Sequence, residues 1–223
     1  FMVRVAGLRQ QLEAGGSQTD PAGMTPRQQL DAIQSRVRTL TRRQHRYLLD
    51  DILPALRDAG LRLFRHDELD EKRRAALNRH FEEQVLPVLT PVAVDSSHPF
   101  PILANGALEI LVHLLHPTTG ERTWAFVEVP KLLPRFVDID GDGQEEGERN
   151  LVLLENLIAA NIQNLFGGCR ILEVAPFRIT RDMDFNINEE EAADLLQHLE
   201  KQLRRRRRRG PVRLEVQRGT SRT

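Results

Sequence analysis

Cysteine is almost missing from this sequence: Cys169 stands alone, which excludes an intrachain disulfide framework and fits a reducing cytosol. Net charge is missing too. Basic and acidic residues both number 32, so no global field argues for a nucleic-acid or anionic-membrane partner. Long hydrophobic runs are absent. None approaches the ~20 residues that span a bilayer, and no signal-peptide pattern opens the chain. The expected setting is therefore the cytoplasm, with no membrane partner. Neither glycine-rich phosphate loop, G-x-G-x-x-G or G-x-x-x-x-G-K-[ST], occurs, and there is no G-x-S-x-G or C-x-x-C. On its own the sequence displays no catalytic centre.

What is present belongs to a soluble globular protein: 223 residues, 40% hydrophobic and 29% charged, enough for one large domain or one and a half ordinary ones. The chain is organised around residues 177–216. Phe177, Ile179 and Thr180 close a strand-like run, and Asn188 with Glu191 three residues later forms a capping-box pattern. Ala192, Leu195, Leu196, Leu199 and Leu203 then recur at helical spacing. Carboxylates at 189–191 and arginines at 204–209 complement the two ends of the helix dipole. Gly210 and Pro211 stop that helix, and Val212, Leu214 and Val216 alternate as in a half-buried strand.

Upstream, residues 1–12 read as a helix with Val3, Val5 and Leu8 apolar, and 14–24 as a loop. Thr25 caps a second helix with Pro26 at its first position. Along it Leu30, Ile33, Val37, Leu40, Gln44 and Tyr47 form a narrow seam that calls for a partner helix. Pro54 kinks or restarts this helix, and Gly60 ends it. Beyond 60 the character is mixed. Asp67 or Asp70 starts a helix burying Leu77, Phe81, Val85 and Leu89. Residues 61–63, 92–94, 108–115, 123–129 and 136–139 read as strands, and 151–166 as an apolar helix ended by Gly167 and Gly168. The expected fold class is α+β: a helical segment over 1–60, then a mixed, largely antiparallel sheet packed with helices over 61–223.

Candidate sites are few. Asp138, Asp140, Asp142 and Gly143 match the first half of a calcium loop, but Arg149 stands where the bidentate Glu belongs, so a solvated acidic loop is the simpler reading. His113 and His116 lie three apart on a strand and point to opposite faces, which is wrong for shared metal ligation. His98, in a proline-rich turn, is the most suggestive single histidine, with a structural role favoured. The arginines at 204–209 either grip a polyanion or serve as the basic end of a helix, and the second reading is favoured. Arg178 and Arg181 flank Thr180. The pair either reaches a phosphate or locks the corner through Asp182 and Asp184.

The order of these pieces resembles a known family. The FR-x-TRD-x-D corner, the acidic helix start, the basic helix end and the VRLEV strand are similar to the head (middle) domain of bacterial polyphosphate kinase. FMVRVAGL at 1–8, LLDDILPALRDAGLRLF at 48–64, HFEEQVLPVLTPVAVD at 80–95, HPFPILANGALEILV at 98–112 and VPKLLPRFVDI at 129–139 agree in register. The resemblance implies that 1–60 is the end of an N-terminal helical domain and 61–223 the head domain, cut from a longer protein. That parent would transfer the terminal phosphate of ATP reversibly to polyphosphate through a phosphohistidine, with Mg²⁺. The histidine domains and the magnesium-site arginines would lie after Thr223, and the nucleotide-contacting asparagine before Phe1. No catalytic or metal residue is thus expected within the chain. Arg4, beside that asparagine segment, is the position expected nearest the substrate, and Arg178 and Arg181 complete the substrate-binding candidates. Expected partners are the remaining domains of the parent chain, polyphosphate as the parent's substrate, and a second copy held through the head domain. The alternatives are a stand-alone interaction module and a basic-helix polyanion binder.

Overall fold

The computed structural model describes residues 1–94, 101–140, 148–182 and 211–221. The expected helix over 188–203, the arginines at 204–209, Asp142, Gly143, Asp184, His98 and His198 lie outside the described residues. The chain divides into two compact units. One comprises residues 1–45, 102–106 and 179–215, the other 46–101, 107–178 and 216–223.

In the first unit, α1 (Met2–Glu13) and α2 (Pro26–Arg46) form as their sequence signals predict. Val5, Ala6 and Leu8 are buried on one face of α1 while Val3 is exposed. The difference is angular: Val3 stands about 200° from Val5 around a helix of 3.6 residues per turn. Val5 and Ala6 pack with Val212, and Met2, Leu30 and Ile33 close around them. The α2 seam is therefore occupied at its start, and it opens to solvent by Leu40. Thr25 and Gln28 form a reciprocal capping box. The Gln28 amide N–H donates to Thr25 Oγ1 (3.3 Å), and the Thr25 N–H donates to Gln28 Oε1 (2.8 Å).

Two glycines end α1. Gly15 has φ 73°, a left-handed conformation that costs other residues strain. The Gly16 N–H donates to the Gln11 carbonyl at 2.7 Å, and a Cβ on Gly16 would meet that oxygen at 2.9 Å. Gly16→Ala should therefore cost ~1–3 kcal/mol, because backbone must shift. Gly7→Ala, inside α1 with nothing within 4 Å of the added carbon, should instead gain ~0.5–1 kcal/mol. Thermal unfolding followed by far-ultraviolet circular dichroism distinguishes them; equal shifts of the two variants would refute this account of the α1 terminus.

The described strands form two sheets. A three-stranded sheet has the order β1 (Leu61–Phe64), β6 (Arg149–Leu153), β5 (Phe136–Asp138). Its β1–β6 pair is parallel and its β5–β6 pair antiparallel. The larger sheet runs β2 (Pro91–Val94), β4 (Arg122–Glu128), β3 (Leu108–Leu115), β7 (Arg170–Arg181), β8 (Pro211–Val216); β7 crosses from one unit into the other. Its β2–β4, β4–β3 and β3–β7 pairs are antiparallel. Strand alternation places Ile110, Val112 and Leu114 of β3 beside Ala125 and Val127 of β4 on one buried face. Against this core pack Leu77, at 2% exposure, and Phe81 and Val85 from α4 (Glu71–His80) and the π-helical turn Phe81–Val85 that continues it. Asp70 is the cap of α4, its Oδ1 accepting from the Arg73 N–H at 2.8 Å. A second π-helical turn, Tyr47–Ile52, joins α2 to α3 (Leu53–Asp58), where Pro54 occupies the first turn. The fold is α+β, as expected.

One expected element is different. The apolar run at 151–166 begins as a strand, β6, and only Leu154–Ala160 forms a helix, α5, followed by a 3₁₀ turn at Ile162–Leu165. A short continuous apolar run fits either a buried strand or a buried helix. Here pairing on both sides decides it: Val152 faces Phe64 of β1 and Val137 of β5.

Candidate functional site

A cavity of about 310 Å³ opens in the first unit, between the α1 side chains and the loop leading to α2. Arg4 and Gln11 of α1, Gln18, Thr19 and Asp20 of the loop, and Gln29 of α2 contribute to its lining. The loop is held by its own hydrogen bonds. Asp20 Oδ1 accepts from the N–H groups of Ala22 (3.0 Å) and Met24 (2.9 Å), and the Asp20 N–H donates to the Met24 carbonyl at 3.0 Å. Arg4 is exposed, and its Nη2 donates to the Gln29 side-chain oxygen. Among the described residues no carboxylate pairs with Arg4. Asp20 also lines the cavity, but its Oδ1 accepts from the Ala22 and Met24 N–H groups, so the carboxylate is turned to the loop. Arg4, bonded to a neutral amide, keeps N–H donors for an oxyanion.

The other two candidate arginines are arranged differently. Arg178 and Arg181 are three apart on β7 and so face opposite sides of the strand. Arg178 is exposed and stands opposite Leu108. Arg181 is buried; its Nε donates to the Leu103 carbonyl at 3.2 Å, and its backbone N–H donates to Asn105 Oδ1 at 2.7 Å. Each has further interactions, so neither is a free cation. Arg4 and Arg181 belong to the same unit but hold different partners.

The calcium-like string is occupied by arginines and an amide. Arg149 Nη2 lies 3.1 Å from Asp138 Oδ2, and Arg73 Nε donates to Asp140 Oδ1 at 2.9 Å. The Asn150 amide donates to Asp140 Oδ2 at 2.8 Å. Burial pushes the Asp140 carboxyl up, but the Asn150 and Arg73 hydrogen bonds outweigh it and leave it below the usual carboxylate range. Among the described residues no group of three or more His, Cys, Asp or Glu side chains could hold a metal. His113 stacks on Trp124 with centroids 4.1 Å apart, and His116 Nδ1 accepts from the Thr119 N–H at 3.3 Å.

Comparison with known proteins bears on this geometry. The model of the polyphosphate kinase middle domain matches residues 72–223, and that of the polyphosphate kinase N-terminal domain matches residues 1–64. The chain belongs to the polyphosphate kinase family. It is 43% identical to the polyphosphate kinase of Mycolicibacterium gilvum over 216 residues, covering 97% of the chain and 30% of that protein. With the polyphosphate kinase of Streptomyces coelicolor it shares 42% identity over 222 residues, covering 100% of the chain and 29% of the relative. The fold matches that of the crystal structure of polyphosphate kinase from Porphyromonas gingivalis with a TM-score of 0.72 at 23% identity, over 99% of the chain and 29% of that structure. The chain thus spans about 30% of the length of the curated relatives it matches.

Arg4 stands out in the sequence, whereas Gln29 does not. The only signal was a glutamine four residues before Ile33 on the inward side of α2, and its meaning depends on where α1 packs.

Proposed function

We propose that this chain is the end of the N-terminal helical domain (1–60) and the head domain (61–223) of a polyphosphate kinase that transfers the terminal phosphate of ATP reversibly to polyphosphate. The observation that carries this reading is the 43% identity to a polyphosphate kinase across 97% of the chain. The phosphohistidine chemistry belongs to other parts of such a protein, and this piece is architectural and dimerising. Within it Arg4 is the substrate contact: a guanidinium with no paired carboxylate among the described residues, on the lining of a cavity, presents N–H donors to a phosphate. Arg178 and Arg181 are weaker candidates, since they face opposite sides of one strand. Magnesium, when bound in such an enzyme, neutralises charge on the phosphates. The described carboxylates here do not fit it, because Asp138 and Asp140 are engaged by Arg149, Arg73 and Asn150, so no step is routed through the metal.

Incubated with ATP, Mg²⁺ and a polyphosphate primer, the chain should form no ADP above background. Turnover that disappears on substitution of a single one of its histidines would sink this reading, since phosphoryl transfer would then be housed within it. Sedimentation of the chain tests the dimerising role separately: a monomer at all concentrations would remove it.

A further inference from the structure

We propose that Gln29 is a positioning residue that aims Arg4 into the cavity. The inference rests on the reading of Arg4 as a phosphate contact and adds the group that fixes its direction. Gln29 is 7% exposed although it lies in the first turn of a largely solvated helix. Its side chain is satisfied at both ends. Nε2 donates to the Met24 carbonyl at 3.0 Å, and Oε1 accepts from Arg4 Nη2. The two bonds determine each other. A carboxamide has donors only on nitrogen, so donation to Met24 obliges the oxygen to face the guanidinium; the flipped amide would set donor against donor. Met24 is in turn tied to Asp20 in both directions, by its own N–H to the carboxylate and by its carbonyl from the Asp20 N–H. A continuous relay thus runs from the loop through Met24 and Gln29 to Arg4.

An unrestrained arginine carries ~2 kcal/mol of rotamer entropy, and fixing its plane lowers what a ligand must supply on binding. Gln29 uses one of the five guanidinium N–H donors, and no described residue takes the others. A neutral acceptor also differs from a carboxylate at this position. It orients the cation without cancelling its charge, so the site keeps its attraction for an anion. The ligand chemistry is a phosphate oxyanion, which either a nucleotide or a polyphosphate supplies.

The test uses this chain with Gln29→Leu, Gln29→Glu and Arg4→Gln variants, titrated with ATP and separately with tripolyphosphate. In parallel, side-chain ¹⁵N NMR reads the rotation of the Arg4 guanidinium without any ligand. Wild type should show hindered Arg4 rotation. Gln29→Leu should free it and weaken binding about tenfold, the loss of one hydrogen bond to a charged group. Gln29→Glu should keep the rotation hindered yet weaken binding at least as much, because it neutralises the cation. Whichever ligand binds more tightly identifies the source of the phosphate. Arg4 signals unchanged in Gln29→Leu would overturn the positioning role, whatever the ligands do. Binding in Arg4→Gln equal to wild type, with Arg4 rotation freed in Gln29→Leu, would instead overturn the reading of Arg4 as the phosphate contact and leave Gln29 as a structural clamp. A Gln29→Glu variant that binds as wild type does would remove the charge argument.

Discussion

Phe81→Ala should destabilise the second unit by ~3–5 kcal/mol, the range for removing a large aromatic side chain from a packed core. Phe81 has no exposed surface and lies in the cluster with Leu77, Val85, Ile110, Val112 and Ile158. Its position follows from an uncommon helical geometry. Leu77, Phe81, Val85 and Leu89 recur every four residues. On a regular α-helix each such step drifts about 40° around the axis, so three steps would turn Leu89 well away from Leu77. The π-helical turn at Phe81–Val85 widens the helix and takes the drift back, so Leu77, Phe81 and Val85 share the buried face. Leu89 is buried by another route, after the 3₁₀ turn Leu86–Val88 where the backbone is already extended. Phe81 stands where the two helical forms meet, so its loss leaves a cavity that neither form closes by a small rotation. The single tryptophan, Trp124, lies in the same unit, so its fluorescence in a denaturant titration reports on this unit. Val88→Ala, at a residue 42% exposed beside the same segment, serves as the comparison and should cost well under the Phe81 value. Equal midpoints for the two variants would refute the assignment of Phe81 to the centre of the core.

Elements whose information is local were legible from the residues. The strands at 108–115 and 123–129, the Thr25–Pro26 start of α2 and, of the two starts that Asp67 and Asp70 offer, the Asp70 cap of α4 stand where the residues place them. The β6 run was not legible, because Leu151 and Val152 are apolar in either state and the choice lies with β1 and β5, far along the chain. The π-helical turns were hidden for a related reason. Four-residue spacing at 77, 81, 85 and 89 marks a helix, but without a fixed core direction it does not tell winding from drift. Residues 102–106 join 1–45 and 179–215 through long-range bonds such as Gly106 N–H to the Ile179 carbonyl, 2.9 Å, which no local pattern announces.

The candidate site was legible as one residue and no more. Arg4 was reached through its place in the FMVRVAGL segment, whereas the cavity, the Gln29 amide and the Asp20 turn exist only once α1 and α2 meet. The reverse holds for Arg178 and Arg181. Their closeness in sequence suggested a pair, and the period of two along a strand separates them. Glu109 was hidden as well. Its place in LEILVHLL puts it on the face away from Ile110 and Val112, which reads as solvent, yet it is 3% exposed.

That burial makes Glu109 the source of a pH dependence. Glu109 stands on β3 directly between Glu128 of β4 and Phe177 of β7. Phe126 lies diagonally on β4 and meets Phe177 edge to face, the ring centroids 5.9 Å apart. No described residue hydrogen-bonds the carboxylate. Burial pushes its pKa up, the charge of Glu128 adds to this and Lys131 opposes it, and the result is about 7 against an ordinary 4.5. Because the folded value is raised, Glu109 contributes fully to stability below pH 4.5, and the contribution fades as pH rises through 7. A displacement of that size is worth about 3 kcal/mol at most. Glu109→Gln removes the titration, so the variant should gain on wild type by ~2–3 kcal/mol between pH 4.5 and pH 8. Any constant cost of the buried amide shifts the whole curve without changing this slope. Glu128→Gln should flatten the wild-type dependence in part, since it withdraws the second of the two causes. Trp124 fluorescence across denaturant series at several pH values measures the difference. A Glu109→Gln minus wild-type gap that stays constant from pH 5 to pH 8 would mean that the carboxylate titrates normally, and that the sheet end around Phe177 opens to water.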